Sequence, residues 1–238
     1  VLDQSASLVG YEGSKPTDAD FFRVDATADI VKQLANLGED NGADINVKLA
    51  GFGSEYYSDP ADYGGWTNVS GNGDALKGEL DKFRQEDRVA DLETNYGAAY
   101  KGALKELASH QGSSCRAIVF FTDGKYYTDA EAHDLQGAQD KLCEVNSSVT
   151  AFRNSNIRLF NVGLVPAAEA QDQVRQLTRM AEGEDCGQGA PNGAFFDAGE
   201  DPAALFAAFR NLIPTSGGVT KEGNLKDQFD FCLLYTSP

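Results

Sequence analysis

The five residues Ala117-Ile118-Val119-Phe120-Phe121 carry no polar side chain between them. A run this short and this apolar, without alternation, fits a strand covered on both faces. Strands covered on both faces belong to parallel sheets with helices above and below. The run ends in Thr122-Asp123-Gly124. It therefore delivers a carboxylate to a strand's carboxyl end, where open α/β sheets place their ligand sites.

The rest of the chain repeats this alternation. Val1-Leu2 reads as the end of a buried strand that runs into Asp3-Gln4-Ser5-Ala6-Ser7. Gly10, Gly13 and Pro16 mark a loop, and Thr17 with Asp20 three residues on has the spacing of a capping box. Phe21, Val24, Ala28, Val31 and Ala35, with Phe22, Ile30, Leu34 and Leu37 beside them, form one apolar helix face, with Gly38 as the expected stop. Ile45 to Phe52 alternates with period two and predicts a strand. Residues 54–73 read as loop, with a short edge strand near Trp66 to Val69. Ala75 to Phe83 predicts a short helix, and 85–93 a charged, exposed continuation. A helix opens after Thr94-Asn95 and carries Ala98, Ala99, Ala103, Leu104 and Leu107.

Beyond the Ala117–Phe121 strand, Thr128 and Glu131 predict a second capping box before a polar helix, and 149–153 a short helix. Ile157 to Leu164 predicts a strand, and Val174 to Ala181 a helix ending at Gly183. Ala194 to Ala198 predicts a last strand, and Asp201-Pro202 the start of a final helix through Ile213, with proline in its first turn. Strands alternating with helices predict an α/β fold: a doubly wound, mostly parallel central sheet flanked by helices.

We read residues 1–214 as one domain, and its first strand as incomplete, because two apolar residues precede Asp3 where a buried strand has about five. Residues 215–231 lose periodicity and read as a linker or the start of a further segment. Residues 232–238 resemble a translated sequencing-library adapter, so Cys232 is set aside. The chain has 37 acidic against 20 basic side chains, a net charge of −17. That balance argues against nucleic acid and anionic membrane surfaces as partners. No apolar run reaches the ~20 residues of a membrane span.

Cys115, Cys143 and Cys186 match no zinc spacing, and the chain has two histidines, His110 and His133. A zinc site is therefore not expected. A disulfide between two of the three cysteines fits an extracellular setting, without the sequence choosing the pair; buried free thiols are the alternative. The histidines read as surface residues. Tyr56, Tyr57, Tyr63 and Trp66 either rim a binding face or cover an edge strand.

Candidate site residues come from three stretches. Asp3, Ser5 and Ser7 supply a carboxylate and two hydroxyls at alternate positions on one turn. Thr94 stands at a loop-to-helix start, and Asp123 follows the most apolar strand. Each stretch alone is weak, since Asp-x-Ser-x-Ser also describes a helix cap or Asx-turn. Together they form a cluster of hard oxygens, which suits Mg²⁺ or Mn²⁺, with Ca²⁺ a poorer fit.

Asp3-x-Ser5-x-Ser7, Thr94 in Thr-Asn-x-Gly-Ala-Ala and Asp123 in Phe-Phe-Thr-Asp-Gly resemble, in order, the metal-ion-dependent adhesion site (MIDAS) of von Willebrand factor type A domains, the integrin I-like family. The resemblance covers about Val1 to Ile213. It implies a Rossmann-like fold and Mg²⁺, with Mn²⁺ or Ca²⁺ as substitutes. Ser5 and Ser7 would coordinate directly, Thr94 directly or through water, and Asp3 and Asp123 through waters. A protein ligand would complete the site with an Asp or Glu carboxylate. Leu-Asp-Gln-Ser-x-Ser-Leu, the Cys before the Asp123 strand and Asp185-Cys186-Gly187 resemble secreted actinobacterial members.

The leading expectation is a non-enzymatic, metal-dependent adhesion module of a larger secreted or cell-surface protein. One alternative is an intracellular assembly subunit of an ATPase-driven complex. A second is a Mg²⁺-dependent phosphohydrolase, although Ser5 stands where an aspartyl-nucleophile enzyme usually has a second Asp. No nucleophile elbow, P-loop or histidine triad is visible. A scaffold that binds no metal is the remaining reading.

Overall fold

The computed structural model describes residues 1–10, 13, 15–85, 91–110, 116–123, 127–128, 157–164 and 193–197, with the backbone alone for 158 and 193–197. In chain order these residues form β1 (Leu2–Asp3), a single 3₁₀ turn (Ala6–Leu8), α1 (Phe22–Asn41), β2 (Asn46–Val47), β3 (Gly51–Phe52), β4 (Tyr56–Tyr57) and α2 (Pro60–Tyr63). Then come β5 (Thr67–Asn68), α3 (Lys77–Lys82), α4 (Tyr96–Ser109), β6 (Arg116–Thr122), β7 (Ile157–Gly163) and β8 (Gly193–Asp197).

Six strands form one sheet in the order β4-β3-β1-β6-β7-β8. β1 pairs in parallel with β3 on one side and β6 on the other, β6 with β7, and β7 with β8. β4 alone runs antiparallel, at the edge beside β3. The fold is thus α/β with a mostly parallel sheet, as the sequence pattern predicts. From β1 the chain winds toward β3 and β4, then returns across β1 to lay down β6, β7 and β8. The strand order reverses between β1 and β6, and such a reversal opens a crevice at the carboxyl ends of the two strands. Asp3 ends β1, and Asp123 directly follows β6.

Side chains on β6 and β7 alternate between two cores, as the strand period requires. Val119, Phe121, Phe160, Val162 and Leu164 join Leu2, Val24, Ile30 and Val31 on the α1 face. Ile118, Phe120, Ile157 and Leu159 join Phe52, Tyr96, Tyr100 and Leu107 on the α4 face. The sheet is therefore covered on both sides, which explains the unbroken apolar run in β6.

Some expectations are corrected. Ile45–Phe52 is not one strand. Asn46 and Val47 pair antiparallel with Thr67 and Asn68 in a separate two-stranded ribbon, while Gly51 and Phe52 join the main sheet. Gly38 does not end α1. It lies inside the helix against Ser70, whose hydroxyl donates to the Ala43 carbonyl at 2.7 Å and accepts from the Ile45 amide at 2.9 Å. The helix stops at Gly42 instead, in the left-handed region (φ 62), with the Ala43 amide donating back to the Gly38 carbonyl at 2.9 Å. This is a glycine-terminated C-cap.

The capping box expected from Thr17 and Asp20 is not made. Asp18 takes that role, accepting from the Phe22 amide at 2.7 Å and the Arg23 amide at 3.4 Å.

The four loop aromatics do not make a common binding face. Tyr56 and Tyr57 form the edge strand, Tyr63 is buried and donates to Gln4 Oε1 at 2.7 Å, and Trp66 stacks on His110 with ring centroids 4.3 Å apart. The second capping box, the helices after residue 128 and all four cysteines involve residues outside the described ones. No helix among the described residues is long and apolar enough to cross a membrane.

α4 approaches β4 so closely that a methyl group on Gly102 would enter the Tyr56 ring. Gly102→Ala is expected to cost ~1–3 kcal/mol by overpacking, even though alanine favours a helix interior by about 1 kcal/mol. A urea midpoint equal to or above that of the parent would refute this packing.

Candidate functional site at the β1–β6 crevice

The reversal of strand order brings Asp3 and Asp123 to the same crevice, and the turn after β1 wraps around it. The Asp3 carboxylate is fully buried. Its Oδ1 accepts from the Ser5 amide at 2.7 Å, and its Oδ2 accepts from the Thr122 hydroxyl at 2.8 Å. Ser5 and Ser7 hold their hydroxyls 3.1 Å apart, and the Ser7 hydroxyl donates to Asp123 Oδ2. Four of the five predicted residues, Asp3, Ser5, Ser7 and Asp123, therefore meet.

Thr94 arrives on a neighbouring loop. It is buried, and its backbone pairs with Tyr127, amide to carbonyl at 2.8 Å and 3.2 Å. Among the described residues, no hydrogen bond joins its hydroxyl to the other four. The loop that carries it is tied to the turn by Asp91, whose carbonyl accepts from the Ala6 amide at 2.8 Å.

The electrostatics follow from two carboxylates in one crevice. Burial pushes Asp3 up to about 7, and the charge of Asp123 adds to the rise, while the hydrogen bonds from Ser5 and Thr122 pull it back. A cation in the crevice would favour the ionised form of both groups. Tyr96, the first residue of α4, places its hydroxyl 3.1 Å from that of Thr122. Burial raises Tyr96 well above the usual phenol value, so it stays a neutral donor or acceptor behind Asp3.

Three participants were not among the predicted site residues, and Thr17 was read only as a helix cap. Thr17 lies with its hydroxyl 3.2 Å from the Ser7 carbonyl and 3.3 Å from Asp123 Oδ2. Arg23 is fully buried, donates from Nε to the Asp3 carbonyl at 3.1 Å and forms an ion pair with Asp18. Asp91 accepts at Oδ2 from the Ser54 amide at 2.8 Å, the Ser54 hydroxyl at 2.9 Å and the Tyr57 hydroxyl. Burial works against its charge, but these hydrogen bonds outweigh it and hold Asp91 below the ordinary value. Thr17 was legible as a polar residue before a helix, but nothing local tells a cap from a site contact. Asp91 sits in a charged stretch that reads as solvated surface.

The donor set can be weighed against a metal ion. No three His, Cys, Asp or Glu side chains cluster as ligands among the described residues. The set is two carboxylates and several hydroxyls, all hard oxygens, which fits Mg²⁺ and not zinc. Neighbouring ligands around octahedral Mg²⁺ stand about 3 Å apart, and the Ser5 and Ser7 hydroxyls meet that spacing at 3.1 Å. Both oxygens of Asp3 already accept hydrogen bonds, which suits a carboxylate acting through waters.

A solved adhesin shares this fold. The pilus adhesin SpaC of Lactobacillus rhamnosus GG is similar over 90% of this chain, with a TM-score of 0.57 and 14% identity. Its open conformation gives 0.56 and 13% over the same share. In both cases this chain spans 29% of the adhesin's length. The conserved hypothetical protein BatB from Bacteroides thetaiotaomicron gives a TM-score of 0.49 at 13% identity, covering 88% of this chain and 93% of BatB. At 14% and 13% identity the likeness to the adhesin is one of fold. No protein-family model and no curated protein sequence matches the chain.

Proposed function

We propose that this chain is a von Willebrand factor type A-like domain that binds a protein ligand through a divalent cation held at the β1–β6 crevice. The observation that carries the reading is the meeting of Asp3, Ser5, Ser7 and Asp123 at the point where strand order reverses. Ser5, Ser7 and Thr94 would hold the cation, with Asp3 and Asp123 supplying negative charge around it. Mg²⁺ is the natural occupant, with Mn²⁺ or Ca²⁺ as substitutes. The cation would supply an electrophilic position that accepts an Asp or Glu carboxylate from the partner.

The surroundings support a protein ligand. The large apolar side chains left exposed among the described residues are Leu92 (55%) and Tyr127 (40%). Leu92 lies two residues before Thr94, and Tyr127 pairs with Thr94 through the backbone. Both stand beside Thr94 along the backbone, and in this reading they would meet residues flanking a ligand carboxylate. The module would belong to a larger secreted or cell-surface protein.

Isothermal titration of Mg²⁺ and Mn²⁺ into the chelator-stripped chain tests this. About one ion per chain is expected, as the β1–β6 crevice provides one cluster of ligands. Asp123→Ala should abolish binding while leaving a folded chain by circular dichroism. A folded parent that takes up neither ion would sink the reading.

A further inference from the structure

The structure ties the Thr94 loop to the turn after β1 through a residue that is not among the predicted ligands. Asp91 joins three segments. Its carbonyl accepts from the Ala6 amide, and its backbone pairs with Ser5, which locks it to the turn after β1. Its Oδ2 holds the β3–β4 turn through the Ser54 amide, the Ser54 hydroxyl and the Tyr57 hydroxyl. Its Oδ1 accepts from the Glu93 amide at 3.2 Å, one residue before Thr94.

The same β3–β4 turn grips the chain on the other side of Thr94. The Asn95 amide donates to the Gly53 carbonyl at 2.8 Å, and Asn95 Nδ2 donates to the Ser54 carbonyl at 3.3 Å. A side chain at Gly53 would collide with the Asp91 carboxylate, so the turn and the carboxylate are packed without slack. Thr94 thus hangs between two anchors, Asp91 and Asn95, both fastened to residues 53–57. A carboxylate that accepts from the tip of one loop and the root of another fixes both at once, whereas a surface carboxylate of the same charge would do neither.

We infer that Asp91 is a positioning residue of the candidate metal site: its carboxylate clamps the β3–β4 turn to the Thr94 loop and sets where the Thr94 hydroxyl stands relative to Ser5. This rests on the metal-site reading above and goes beyond its five residues. Asp91 acts through Thr94 and does not touch the cation. Removing such a supporting contact at metal sites weakens affinity ~10–100-fold.

The test is a double-mutant cycle read by Mn²⁺ titration calorimetry on the full 238-residue chain, with melting in chelator as a check on folding. Asp91→Asn keeps size and loses the carboxylate, and should weaken Mn²⁺ binding ~10-fold or more. Thr94→Ala should weaken it too. The double variant should bind within ~2-fold of Thr94→Ala alone, because coupled positions are not additive. A purely structural loss would instead multiply with that of Thr94→Ala, and that outcome overturns the inference, as does parental affinity in Asp91→Asn.

If Asp91→Asn melts too low to titrate, Tyr57→Phe removes one of the three donors to Asp91 Oδ2 and should weaken Mn²⁺ binding in the same direction. Unchanged affinity there also overturns the inference. Asp123→Ala separates the two levels. If that variant binds Mn²⁺ like the parent, the metal-site reading fails and takes this inference with it. If Asp123→Ala loses the ion while Asp91→Asn keeps it, the role of Asp91 alone is wrong.

Discussion

Replacing Arg23 with Met is expected to destabilise the domain by ~3–5 kcal/mol, the range for breaking one side of a buried ion pair. Arg23 is fully buried and Asp18 nearly so. Asp18 already sits above the ordinary carboxylate value, because burial outweighs the pull of Arg23 and of the helix amides. Without the guanidinium it would be a buried acid with less to hold its charge, and the Asp3 carbonyl would lose the donor at 3.1 Å.

The pair itself is not a large source of stability, since desolvation consumes most of the Coulombic gain. The double variant Arg23→Met, Asp18→Leu should therefore recover most of the loss. It should still fall short of the parent by about 1 kcal/mol, because Asp18 also caps α1. Urea denaturation of the parent and the two variants decides this. A single-variant loss under ~1 kcal/mol would place the pair with exposed salt bridges and refute its burial.

Chelator-treated protein should lose stability as pH rises from about 4 to about 7, and regain it with Mg²⁺. Asp3 is raised from 3.8 to about 7 in the folded chain, by burial first and the Asp123 charge second. Below pH 3.8 it is protonated in both states, and its contribution is fully present. Between 3.8 and about 7 the unfolded chain ionises while the folded chain resists, so stability falls with pH. The total is on the order of 4 kcal/mol.

A cation held as proposed would remove the penalty, so excess Mg²⁺ should raise the melting temperature more at alkaline than at acid pH. Other carboxylates titrate in the same range, so the reading is the difference between the parent and Asp3→Asn. A difference that is flat across the window, or that grows in favour of the parent as pH rises, would overturn the assignment.

The sequence and the fold agree where the signal is local. The apolar run in β6, with polar Thr122-Asp123 at its end, carries its burial, its direction and its place in the crevice in consecutive residues. The Asp3-x-Ser5-x-Ser7 turn is equally self-contained. Agreement fails where a residue's partner lies elsewhere in the chain. Ile45 to Phe52 alternates throughout, but Asn46 and Val47 find β5 while Gly51 and Phe52 find β1. Period-two patterning is blind to that choice. Thr17 has the spacing of a cap, yet its hydroxyl faces Asp123, and Asp18 caps instead. Arg23 carries no local signal of its role, because a periodic pattern gives no sign that an acid five residues back will be buried with it.

The position of β1 bears on how the domain folds. Its neighbours are strands that begin some 50 and 114 residues further along. Thr122 reaches Asp3 across a separation of 119 residues, and Ser7 reaches Asp123 across 116. Contacts so distant in sequence form only after a large loop-closure entropy has been met, which slows folding. The crevice is therefore assembled late, when β1 meets a strand made more than a hundred residues afterward. An ion that needs both carboxylates has no site on a partly made chain, so its uptake during refolding would time the closing of the whole sheet.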